Sequence, residues 1–184
     1  MKKYHRILHN FLLYSVFIFY IVILFALLFM NRRSFSSINI VPFHSIITYL
    51  SSDDILLRSF ALSNVLGNIV LFIPLGVYLT LFNRDKRLYK NVLWIILISS
   101  SAESLQYIFK IGACDIDDVI LNSLGGFIGI AAYRTLLLIF KDVHKVKYAI
   151  EIIAPIGGIV SFLILFLYNN TQYGVNLMYY SAAN

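Results

Sequence analysis

The chain has 184 residues, 60% of them hydrophobic and only 13% charged, with a formal net charge of +6 and a mean hydropathy of +0.81. Soluble domains carry about 25% charged residues, so this composition excludes an ordinary soluble enzyme or nucleic-acid binder and points to one membrane domain over residues 1–184. The single cysteine, Cys114, excludes an internal disulfide.

The basic start MKKYHRILHN precedes an apolar run from Phe11 to Met30, long enough to cross a hydrocarbon core of about 30 Å. The run ends in FMNRRSF, without the small-residue cleavage site of a signal peptide, so a retained transmembrane helix is expected. Residues 31–63 read as the one long polar connection. Pro42 stops any helix there and holds Val41 extended. Phe43, Ile46, Ile47 and Leu50 then recur at helical spacing, which predicts a short amphipathic piece on the membrane surface. Ser51 or Ser52, followed by Asp53 and Asp54, is a helix-start signal.

A second membrane helix is expected over Val65–Phe82, kinked at Pro74. The basic loop NRDKRLYKN leads to a third from Val92 to about Phe109, and a fourth runs from Asp115 or Ile116 to about Phe140. A second basic loop, KDVHKVK, precedes a fifth over Tyr148–Tyr168. The fold class is therefore all-α, a polytopic membrane bundle of about five helices. With the N-terminus cytoplasmic, eleven of the fifteen Lys and Arg residues fall on the cytoplasmic side, leaving Arg32, Arg33, Arg58 and Lys110 outside. That is the orientation the positive-inside rule selects, and it places the polar residues described next towards the exterior.

The stretch Ser99–Gly129 carries Glu103, Gln106, Asp115, Asp117, Asp118 and Asn122 among apolar runs. At 100° per residue, Asp115, Asp118, Asn122, Gly125, Gly126 and Gly129 share one helix face, and Asp117 points away from it. Ser99, Glu103, Gln106 and Lys110 form a stripe on the preceding helix. A tight Gly-containing turn joins the two helices, so the stripes are expected to face each other around an outer polar cavity, with the Asn64/Asn68 end of the second helix beside it. Ionisable groups at membrane depth cost several kcal/mol unless paired or wetted, which makes Glu103, Gln106, Asp115, Asp118, Asn122 and Asn68 the candidate ligand site. Asp115 also reads as a helix N-cap, the glycines as close-packing positions, and Asp117 as dispensable.

No metal site or cofactor is expected. Carboxylate and amide oxygens suit Ca²⁺ or Mg²⁺, but no recognised loop spacing is present, and His5 with His9 lacks a third zinc ligand. Ser99, Ser100 and Ser101 beside Glu103 lack a nucleophile-elbow motif, and helical serines usually bond to their own backbone.

Three blocks in this order, SINIVPF, GNIVLFIPLG and ESLQYIFKIGACDIDDVILNSLGGFIG, resemble the VanZ-like family of teicoplanin-resistance-type membrane proteins, with a core over about residues 35–140. The resemblance singles out Asn39, Pro42 and Phe43 as a loop motif. It implies a multi-pass protein of the bacterial plasma membrane that lowers susceptibility to lipoglycopeptide antibiotics. Binding or shielding at the outer face is the expected mode, with membrane lipids and a lipid-linked envelope component or the lipoglycopeptide as partners, and no nucleic acid. The alternative is an intramembrane enzyme that modifies a lipid-linked cell-wall component, with Glu103 and Asp118 as paired acid and base.

Overall fold

The computed structural model describes residues 2–29, 37–83 and 87–156. In chain order the elements are α1 (Lys2–Phe29), β1 (Ile38–Asn39), α2 (His44–Leu50), α3 (Ile55–Phe82), α4 (Leu88–Ile108), β2 (Cys114–Asp115) and α5 (Ile116–Phe140). A further helix, α6, covers residues 143–156. The all-α class holds; the two strands are a two-residue parallel bridge, Ile38 opposite Cys114 and Asn39 opposite Asp115.

Among the described residues three helices are long and apolar enough to cross a membrane: α1 over His9–Phe29, α3 and α5. The 21-residue α4 is not among them, because Ser99–Ser101, Glu103, Ser104 and Gln106 dilute its apolar content. The expected fifth span, Tyr148–Tyr168, is helical from 148 to 156 and otherwise lies outside the described residues.

The structure moves two expected boundaries. α3 starts at Ile55, not Val65, because Asp54 caps it by accepting from the Leu56 N–H at 2.8 Å. Polar side chains in its first turns do not stop a helix; Ser63 Oγ bonds back to the Ser59 carbonyl at 2.9 Å. The KDVHKVK segment is mostly helical. Lys141 closes α5 in the left-handed region, and Asp142 caps α6 through the His144 N–H at 2.8 Å.

The chain divides into two compact units, residues 17–146 and residues 1–16 with 147–184. In the smaller unit, His9 Nδ1 lies 2.5 Å from Glu151 Oε2, and its ring packs edge-on against Tyr148. In the larger unit, Leu24 and Leu28 of α1, Phe72 and Leu75 of α3, Ile95 and Ala102 of α4 and Ile130 of α5 form the core. The Tyr20 hydroxyl donates to the Leu71 carbonyl at 2.7 Å, in the turn that Pro74 disrupts. The carbonyl that Pro74 itself leaves without a helical donor is that of Val70, one residue earlier.

α3 and α5 share the most extensive interface. Glycine makes it possible: a methyl on Gly125 or Gly129 would overlap the carbonyl oxygen of Ile69 or Ile73. With the backbones this close, whatever α5 presents at its N-terminal end is held firmly against α3.

Candidate functional site

The site forms where α4 turns back into α5. Ile111 N–H reaches the Gln106 carbonyl and Lys110 N–H the Tyr107 carbonyl, both at 3.0 Å, the two bonds of a Schellman motif. Its left-handed residue is Lys110 (φ 56°), where glycine is the usual occupant. The turn therefore does not depend on the conformational freedom of Gly112. Lys110 lies beyond the helix end, exposed to the surroundings, and so leaves the stripe expected to include it.

β2 follows, and Asp115 ends it as the N-cap of α5, its Oδ1 accepting from the Asp117 N–H at 2.9 Å. The same oxygen accepts from Asn39 Nδ2 at 2.9 Å, and Oδ2 accepts from the Ser45 hydroxyl at 2.7 Å. Asn39 Nδ2 is also 2.9 Å from Ser45 Oγ, which closes a triangle between the two strands and α2. Cys114 N–H donates to the Ser37 carbonyl at 2.9 Å. Burial, then the negative charges of Glu103 and Asp115, push the Cys114 thiol up from its ordinary range.

Asp117 does leave the stripe, and the structure shows where it goes. It is buried and accepts backbone N–H bonds from Phe43, from Ser45 at 3.0 Å and from Ile46 at 3.3 Å. Phe43, the N-cap of α2, offers no side-chain oxygen for the first turn, so Asp117 supplies the cap from a distant part of the chain. This corrects the view of Asp117 as dispensable. Two signals pointed to it: a carboxylate in an apolar setting needs donors, and a short helix beginning PFHS lacks a cap of its own.

The loop motif is a turn. Pro42 sits at its second position, Phe43 at its third with φ 64°, and the His44 N–H returns to the Val41 carbonyl at 3.2 Å. This is the type II pattern, in which the third position favours glycine. A bulky residue there costs about 1–2 kcal/mol. Asn39 Oδ1 accepts from the Val41 N–H at 3.2 Å and steadies the approach.

Asp118 faces α3 and not α4. Its Oδ1 accepts from Asn68 at 2.6 Å and Asn64 at 3.1 Å, one turn apart on α3. Two hydrogen bonds join the expected α4 and α5 stripes. Glu103 Oε2 accepts from the Asp115 N–H at 3.2 Å, and Asn122 Nδ2 donates to Ser99 Oγ at 3.0 Å. The Asn122 side-chain oxygen is buried with no hydrogen-bond partner among the described residues. Gln106 turns towards α1 and donates to the Leu28 carbonyl at 3.1 Å. Among the described serines of α4, Ser101 and Ser104 bond to their own backbone, while Ser99 is engaged by α5.

Between α2, α3 and the start of α5 lies a cleft of about 60 Å³. Ser45, Tyr49 and Asn64 line it together with Asp115, Asp117 and Asp118. Sites for drug-sized ligands measure about 300–1,000 Å³, so this one fits a small polar group and not a whole antibiotic. Among the described residues no three His, Cys, Asp or Glu side chains converge as a bare cation would need.

The VanZ/LLP1 family pattern matches residues 11–141, well over half the chain and all of the site just described. The chain belongs to that family. It is also similar to Protein VanZ of Enterococcus faecium, with 29% identity over 104 residues, 56% of this chain and 62% of that protein. The alignment thus spans under two thirds of the relative's own length. No solved structure matches the chain. Within this VanZ-family chain, the matched region carries both the α4–α5 acidic turn and the capped α2 segment that it holds down.

Proposed function

We propose that this VanZ-like membrane protein lowers susceptibility to teicoplanin-type lipoglycopeptides by binding at the outer membrane face, without destroying the drug. The partner is a lipid-linked envelope component, or the lipid-anchored part of the antibiotic itself, which presents a small polar group to the cleft. The observation that carries this reading is the state of the carboxylates lining the cleft. Asp115 and Asp117 accept fixed N–H, amide and hydroxyl donors on both oxygens, which leaves few free lone pairs with which to take up a substrate proton. A surface of that kind suits recognition better than acid–base chemistry.

The test is expression in a susceptible host, with teicoplanin susceptibility measured beside the masses of the recovered drug and of extracted envelope lipids. Reduced susceptibility with every mass unchanged supports the binding reading. A mass change that disappears in Asp118→Asn would replace it with an enzyme acting on a lipid-linked substrate. Unchanged susceptibility at full expression would remove resistance as this chain's role.

A further inference from the structure

The segment 37–52 is held by the site, yet among the described residues one of its sides is largely exposed. At 100° per residue the short helix α2 and its flanks divide into three faces. Ser45, Ile46 and Tyr49 face the cleft. His44, Thr48 and Ser51 form a second, polar and exposed face. Phe43, Ile47 and Leu50 form the third, with Ile47 61% and Phe43 52% exposed, and Ile40 and Val41 just before them are also more than half exposed. No Asp, Glu, Lys or Arg occurs between residues 37 and 52.

We infer that this third face is a membrane-docking surface: α2 lies in the headgroup–acyl boundary at the end of the bilayer where α3 begins. Three observations select lipid over a protein partner. The face is continuous along the chain with the exposed Ile55 and Leu56 that open the membrane-crossing helix α3. That helix has 28 residues, about 42 Å of length against a core of about 30 Å, which leaves enough length for its first turns to stand in an interfacial layer beside α2. The backbone at Phe43 adopts a conformation that suits glycine, yet carries an aromatic side chain that half-protrudes from the protein. In water a strained, exposed phenylalanine gains nothing; at a bilayer surface its ring inserts. Helices with separate apolar and polar faces sink about 5–10 Å into that boundary.

The experiment uses the full chain with Cys114→Ser, reconstituted in phosphatidylcholine–phosphatidylglycerol vesicles. Single cysteines replace Ile47, Leu50 or Thr48 and carry a bimane fluorophore. The expected result is blue-shifted emission at 47 and 50, quenched by a nitroxide near the top of the lipid acyl chain and not by aqueous iodide. Thr48→Cys should show the reverse. Iodide quenching at all three positions would overturn the inference in favour of a water-facing segment. Protection of 47 and 50 from both quenchers would overturn it in favour of a protein partner or a second copy. Wild-type chain in vesicles holding a photoreactive diazirine lipid provides a check independent of the variants. Labelling within residues 40–50 supports the docking surface, and its absence there, with α3 labelled, refutes it.

Discussion

Asp117 shows most sharply how a residue acts through the groups it meets. Replacing one carboxylate oxygen with an amide NH₂ turns a donor towards backbone N–H groups that need an acceptor. Asp117→Asn should therefore lower stability by about 1–3 kcal/mol and expose residues 40–50 to protease. Asp53→Asn, on a fully exposed side chain, should change neither. Equal behaviour of the two variants in thermal unfolding and limited proteolysis would refute the capping role. Glu103 is read differently. The amide oxygen of a glutamine can still accept from the Asp115 N–H, so Glu103→Gln should keep normal membrane abundance while the resistance or binding phenotype is lost. Full activity in that variant would make Glu103 purely structural. The same variant probes the thiol beside it. A raised Cys114 pKa keeps the thiol protonated at neutral pH, so alkylation should be slow there and accelerate only above the ordinary thiol range. Removing the charge at 103 should shift that rate profile to lower pH, read from maleimide labelling against pH.

Between elements, the balance is between close packing and local strain. Gly125→Ala should cost about 1–3 kcal/mol, because the methyl meets backbone carbonyl at the α3 interface and not a side chain that can move. Lys110→Gly should have the opposite sign, gaining about 1 kcal/mol by relieving a left-handed lysine. Thermal unfolding in one detergent compares both with wild type. The helices and the packing glycines were legible because hydropathy, caps and period 3.6 are local properties. Asp115 acts as the cap its position suggests, while the helix start signalled at residues 51–54 is capped by Asp54 and not by either serine. The partners of Asp117 and Ser45 and the turn of Asp118 towards α3 were not legible, because those partners lie dozens of residues away and helical phase alone does not say which neighbour fills a face. Phase placed Asp118 and Asn122 together; packing gave one to α3 and the other to α4.

For the whole molecule, the charge asymmetry makes an orientation testable. In a Cys114→Ser background, Asp53→Cys should react with an impermeant thiol reagent on intact cells, and Lys145→Cys only after permeabilisation. Both side chains are exposed, so access is decided by the bilayer and not by burial. The reverse pattern would place the acidic turn and its cleft on the cytoplasmic side and remove the route to an extracellular antibiotic.

The remote cap on α2 also has a bearing on the order of assembly. A seven-residue helix does not persist by itself in water, and the carboxylate that ends its loose N–H groups is made more than seventy residues later. While α3 and α4 are being made, the segment before them has no such cap. Its first turn is completed only when the turn after α4 has emerged and brought Asp117 into place. The surface beside the cleft thus reaches its capped form only in a molecule whose α4–α5 turn is already correct.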